Sequence, residues 1–355
     1  IAAETGKPRA ELLTTEILTG CDSLSFYAKR ARHILADRSV PLHLLKTKKL
    51  RISHVPLGVV GIITPWNFPF ILALNPTVQA LIAGNAVVLK PSEVTPDSGR
   101  LVAELWAAAG LPAGVFNLVQ GDGETGAALL EAGVDKISFT GSVATGRRVG
   151  EVCGRALEPC TLELGGKDPM IVCEDADVDR AARGAVYGAF CNAGQVCTST
   201  ERVYVVDRVA DEFTRRVVEQ TGELRQGAEG EFDVGPMIRS EQLAVVEDHI
   251  RDAVAKGARV LAGGRRNPAY PGLFFEPTVL DDVTHDMKIM REETFGPVLP
   301  IMRVRDVDEA IAYANDSPYG LNANVWTRNR RRGDPLANTI DSGCAVVNDS
   351  MITYG

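Results

Sequence analysis

The chain has 355 residues, 45% hydrophobic and 24% charged, which is globular composition with room for two domains. A net charge of −8 and a pI near 5.3 exclude a basic face able to neutralise nucleic-acid phosphates, and they disfavour an anionic membrane surface as partner. No apolar run reaches the roughly 18 residues that a spanning helix needs.

Seven cysteines, at 21, 153, 160, 173, 191, 197 and 344, form no Cys-x-x-Cys pair. Neither a disulfide framework nor a zinc site is expected, and a reducing, cytoplasmic setting fits. Cys21, Cys153, Cys160, Cys173, Cys191 and Cys344 are expected to be buried and inert. The chain begins at Ile1 with no basic-then-apolar leader, which reads as a processed chain or a fragment.

In chain order, residues 1–40 read as helical, because Leu24, Tyr27, Ala28 and Ala31 recur at helical spacing opposite Lys and Arg. Residues 41–56 are basic and partly alternating, the pattern of an exposed hairpin whose edge is guarded by lysines. A unit over 57–164 follows, with short apolar runs at 59–63, 86–89, 115–119, 136–139 and 161–164 separated by helices. One helix carries its own signals: Thr95 as N-cap, Pro96 in the first turn and Gly110 as stop. This alternation predicts a parallel sheet with helices on both faces and ligands beyond the carboxyl ends of its strands. A second α/β unit over 165–355 has apolar runs at 170–173, 202–206, 259–261, 298–302 and 345–348, with helices between them at 177–190 and 241–256.

Six segments have chemistry to offer, beside a seventh, 121–126, that matches a phosphate loop only formally. Asn67, in Thr64-Pro65-Trp66-Asn67-Phe68-Pro69, follows the first strand and either donates to a developing oxyanion or caps the next helix. Lys90 and Glu93 follow the second strand and either bind the hydroxyls of an adenosine ribose or stand as solvated loop charges. Residues 121–126 formally match G-x-G-x-x-G, but no acid follows a further strand at the required distance. Phe139-Thr140-Gly141-Ser142, continuing to Thr145 and Gly146, is the better phosphate loop, since it opens a helix. Glu163 ends an apolar strand before Gly165-Gly166, where burial would raise its pKa and suit it to general-base work. Cys197, in Gly194-Gln195-Val196-Cys197, is either a nucleophile or an inert thiol. Glu293 and Phe295, in Glu293-Thr294-Phe295-Gly296-Pro297, either hold a second ribose and wall a ring or form a plain Gly-Pro turn.

Taken jointly and in this order, these segments resemble the aldehyde dehydrogenase superfamily over nearly the whole chain. The resemblance implies an α/β fold with a variant Rossmann cofactor domain, an α/β catalytic domain and the 41–56 hairpin as oligomerisation element, hence a homodimer or homotetramer. It implies Cys197 as nucleophile, Glu163 as base, and Asn67 with the Cys197 N–H as oxyanion hole. Thr64, Pro65, Trp66, Lys90, Glu93, Gly123, Phe139, Gly141, Ser142, Thr145, Leu164, Glu293 and Phe295 would bind NAD(P). NAD is favoured over NADP, because Glu93 opposes a 2′-phosphate. No metal is required. The expected reaction is NAD(P)-dependent oxidation of an aldehyde to an acid, with a semialdehyde as one substrate class; CoA acylation and an inactive structural role are the rivals. Family members extend further at both ends, so the piece alone is expected to be poorly soluble or inactive.

Overall fold

The computed structural model describes residues 1–351, which form two compact units. The first comprises Leu12–Leu164 with Ile1 and Ala3; the second runs from Gly165 onward and takes in Ala2 and Glu4–Glu11. The start of the chain therefore divides between the units, where the sequence suggested a helical part of the cofactor domain alone.

In the first unit the helical start is interrupted by a π-helical turn at Leu13–Leu18 before the long helix Thr19–Ile34. The hairpin pairs β1 (Arg38–Val40) antiparallel with β2 (Leu50–Ile52), so it opens before residue 41. Five parallel strands follow: β3 (Val59–Ile63), β4 (Ala86–Lys90), β5 (Phe116–Leu118), β6 (Lys136–Thr140) and β7 (Cys160–Glu163), in the order β5-β4-β3-β6-β7. Side chains alternate across a strand. Val60 and Ile62 accordingly enter one core with Phe70, Leu74, Val87 and Leu89, while Val59 and Ile63 pack against the other, with Leu129, Ile137, Phe139 and Val149. Both faces are thus covered by helices, as a parallel sheet requires. The chain moves outward from β3 through β4 to β5, then reverses to β6 and β7. At such a reversal two neighbouring loops part and leave a crevice at the carboxyl ends of the strands.

The second unit is a seven-stranded sheet: β8 (Asp168–Val172), β9 (Thr200–Val206), β10 (Arg259–Ala262), β11 (Thr278–Asp281), β12 (Val298–Val304), β13 (Asn322–Trp326) and β14 (Cys344–Val347). Their order is β10-β11-β12-β9-β8-β13-β14, parallel except for the antiparallel edge pair β10–β11. Every residue of β8, β9, β11 and β13 is buried. The strands β11 and β13 had no apolar run to announce them. Some of their polar groups find partners inside: Asp168 Oδ1 accepts the Asn322 backbone N–H at 3.2 Å and Asn324 Oδ1 accepts the Trp326 indole N–H at 2.8 Å.

Candidate active site

The carboxyl ends of the first sheet carry the polar groups foreseen there. Thr64 follows β3; its N–H donates to the Lys90 carbonyl at 3.1 Å, and its buried hydroxyl has no hydrogen-bond partner among the described residues. Lys90 ends β4 buried, with Nζ 3.1 Å from the half-exposed Glu93 carboxylate. An ion pair with one buried partner replaces the two solvated loop charges that were the alternative.

Ser142 is the N-cap of the helix Val143–Ala156, its Oγ accepting the Thr145 N–H at 3.3 Å. This helix start is drawn tightly onto its surroundings. A Cβ on Gly141 would lie 2.7 Å from the Phe139 ring, and one on Gly146 would lie 2.4 Å from the Leu164 side chain. Its first turn holds no acidic residue. The 121–126 loop differs: Asp122 caps the helix Gly123–Glu131 by accepting the Glu124 N–H at 3.0 Å, and Glu124 adds a second negative charge. Anions favour free helix N-termini, so the Ser142 turn is the better phosphate cradle.

Asn67 is buried ahead of the helix Ile71–Ile82. The N-cap of that helix is Phe70, without a side-chain cap. A residue that the sequence did not single out, the buried Glu16 of the π-helical turn, receives the Phe70 and Ile71 N–H groups at 2.8 and 3.4 Å. A carboxylate at a helix N-terminus also meets the positive end of the helix dipole. Glu163 departs from expectation. It ends β7 exposed, where a buried carboxylate was expected.

In the second unit the helix Val178–Phe190 ends in a turn that lifts the chain into β9. Asn192, Ala193 and Gly194 are consecutively left-handed, with φ of 51°, 52° and 73°. Only glycine adopts this conformation freely; other residues held there mark strain sustained by their surroundings. The surroundings are visible. Gln195 Nε2 donates to the Asn192 carbonyl at 2.9 Å, its Oε1 accepts the Ile238 N–H at 2.9 Å, and Glu11 Oε2 accepts the Asn192 N–H at 2.9 Å. Gly194 packs so closely that a Cβ there would lie 2.1 Å from the Gly296 carbonyl oxygen.

The turn presents Cys197 partly exposed. Its thiol is pushed up to about 12 by burial and then by the Asp168 and Glu293 carboxylates, while the N–H groups of Cys197 and Thr198 favour the thiolate. The resting protein thus keeps the sulfur protonated. Glu293 Oε1 accepts the Gly166 N–H at 3.0 Å, and a Cβ on Gly165 would lie 2.2 Å from the same oxygen. Burial and the Glu201 charge raise Glu293 to about 7. Phe295 is left-handed, with φ of 49°.

The other cysteines divide. Cys153, Cys173 and Cys191 are buried as expected, but Cys21 and Cys160 are exposed and Cys344 is half-buried. Arg202 is fully buried and donates to the carbonyls of Lys167, Tyr313 and Ala314 at 2.6, 3.2 and 3.1 Å. Arg291 is paired with Asp316 at 2.6 Å, and Arg328 lies 3.8 Å from Asp177. Lys167 and Glu201, which the motif reading left without roles, form a buried ion pair at 2.6 Å. The available signal was a charge at the start of each of two adjacent apolar strands.

The family model described as "Aldehyde dehydrogenase family" matches residues 1–354. The chain is 44% identical over 357 residues to a 4,4'-diapolycopene aldehyde oxidase of Methylomonas sp, covering 100% of this chain and 67% of that protein. It is 44% identical over 349 residues to a putative succinate-semialdehyde dehydrogenase [NADP(+)] of Mycolicibacterium smegmatis, covering 98% and 67%. Among solved structures, an aldehyde dehydrogenase of Bacillus cereus in complex with NAD+ superimposes with a TM-score of 0.94 at 37% identity, over 99% of this chain and 72% of that one. A Mycobacterium tuberculosis aldehyde dehydrogenase complexed with NAD+ does so with the same score and identity, over 99% and 73%. The chain thus spans about two thirds of the length of these curated relatives, and with its thiol turn and two α/β sheets it belongs to the aldehyde dehydrogenase family.

Proposed function

We propose that the protein oxidises an aldehyde to a carboxylic acid with NAD(P)+ through a covalent adduct on Cys197. The observation that carries this reading is the Cys197 turn, whose three left-handed residues hold a partly exposed thiol beneath its own N–H and that of Thr198.

The donor sets fit a dinucleotide. The first unit offers the unpartnered Thr64 hydroxyl, the buried Lys90 with Glu93, and a helix start free of acid at Ser142. The second offers Glu293 and Phe295 on a strained turn. When bound, the nicotinamide supplies a hydride acceptor. The protein's own work is the rest. Cys197 gives up its thiol proton to solvent, the thiolate Sγ adds to the aldehyde carbon, and the resulting oxyanion is received by the Cys197 N–H and by Asn67, a donor typically worth ~3–4 kcal/mol. Once the carbon has lost its hydride, a thioester remains on Cys197. Glu163 takes a proton from water, which attacks the thioester and releases the acid and the thiol. The exposure of Glu163 supports this role, since the base must meet water.

Glu93 would repel a 2′-phosphate and favours NAD; the relatives named for NADP(+) favour the alternative. Relatives named succinate-semialdehyde dehydrogenase likewise support a semialdehyde substrate. Against it, Arg202 and Arg291 already have protein partners. The 41–56 hairpin exposes Leu44, Leu45, Leu50 and Val55, which supports an oligomeric enzyme.

Glu163→Gln tests the chemistry. With aldehyde and NAD+ it should release about one NADH per thiol and then stall, with the acyl mass on the Cys197 peptide. Full turnover in that variant refutes the base, and release by CoA but not water turns the reading to acyl transfer. A panel containing succinate semialdehyde and a long apolar aldehyde separates the substrate classes by kcat/KM.

A further inference from the structure

Behind the Cys197 turn, within the second unit, lies a charge pair that the mechanism leaves unused. Lys167 and Glu201 are both buried, 1% and 4% exposed, at the starts of β8 and β9. Lys167 Nζ lies 2.6 Å from Glu201 Oε2 and donates to Thr294 Oγ1 at 2.9 Å. The Glu201 carboxylate then accepts two consecutive backbone N–H groups, from Thr294 at 2.8 Å and from Phe295 at 2.7 Å. The second belongs to the left-handed Phe295. The neighbouring Gly166 N–H donates to Glu293 at 3.0 Å, which ties the same turn to the chain beside Lys167.

A buried charge pair stabilises little by itself, because desolvation offsets the attraction. A carboxylate that receives two adjacent amides does something more specific: it fixes the direction of the peptide between them. Only a carboxylate can do this at Glu201. A glutamine of the same size has one acceptor oxygen and would turn an N–H donor toward the other amide. Lys167 Nζ, 2.6 Å away, pairs with the same carboxylate.

We infer that Glu201 is a positioning residue, which uses the Thr294 and Phe295 amides to hold the strained turn that presents Glu293 and Phe295 to the cofactor. This rests on the reading that these two side chains hold the nicotinamide ribose end.

The test uses Glu201→Gln and Glu201→Asp in the intact protein; Asp keeps the charge against Lys167 but is one methylene too short to reach both amides. Both should raise the KM for NAD+ about tenfold, equivalent to about 1.4 kcal/mol, with the aldehyde KM little changed. Amide exchange at Thr294 and Phe295 should accelerate while that of β12 does not. Glu293→Gln is the control. If it leaves the NAD+ KM unchanged, the reading of Glu293 fails, and the exchange rates still decide whether Glu201 holds the turn. If Glu293→Gln weakens NAD+ binding but the Glu201 variants do not, the inference is overturned. Equal acceleration of the turn and β12 also overturns it, since that is plain destabilisation. Should Glu201→Gln fail to fold, Glu201→Asp carries the same measurements.

Discussion

At the scale of single residues, the reactive groups are held back in the resting state. The Cys197 thiol, pushed up to about 12 by burial and by the Asp168 and Glu293 carboxylates, is almost wholly protonated at neutral pH. Its alkylation rate by iodoacetamide should therefore climb steadily through pH 9 and beyond, because only the thiolate reacts. A plateau below pH 8 contradicts this. Glu293 is raised to about 7, and the proposed ribose contact needs it ionised to accept both hydroxyls. NAD+ affinity should accordingly rise with pH through about 7 and flatten above it, a dependence that Glu293→Gln should remove in a titration by fluorescence. Linkage gives a companion sign. A carboxyl raised in the folded state binds its proton more tightly there than when unfolded. The Glu293 contribution to stability is thus favourable at low pH and declines as pH rises from about 4.5 to about 7. Cys197 and Glu293 were singled out only by the joint order of the segments, since each neighbourhood alone left its alternative open. The environment of Glu163 was not legible, because a glutamate flanked by leucines reads as buried although the end of β7 leaves it exposed.

At the scale of elements, the thiol turn depends on backbone meeting backbone. Gly194→Ala should cost about 1–2 kcal/mol for its left-handed backbone alone, with the approach to the Gly296 carbonyl adding to it. Denaturant unfolding of the variant should show the loss, together with slowed alkylation of Cys197; unchanged stability contradicts the packing described. The strands β3, β4 and β6 were read with nearly correct ends because apolar residues line both faces and leave short continuous apolar runs. β9 was read from residue 202, which leaves out Glu201. A charge inside a buried strand makes sense only through its partner Lys167, 34 residues away, and no local pattern shows such a partner. β13 escaped because its asparagines, Asn322 and Asn324, resemble a loop although both are buried.

At the scale of the molecule, each unit has its own core and sheet. The division between them, at Leu164 and Gly165, falls where the Gly-Gly pair breaks the pattern. The exposed leucines of the hairpin belong to this scale also. Leu44→Lys with Leu45→Lys should lower the oligomeric state of the intact protein in sedimentation velocity, because two apolar side chains that are 82% and 59% exposed would lose their burial at an interface. An unaltered sedimentation coefficient contradicts an interface there. The family was legible from six segments in one order, whereas the network behind them was not, because its members are isolated polar residues joined only by folding.

The most direct test of the account is NAD+ reduction by the intact protein over an aldehyde panel, compared with Cys197→Ser. The account predicts aldehyde-dependent NADH formation that disappears in the variant while NAD+ still binds. Undiminished NADH formation by Cys197→Ser would contradict it.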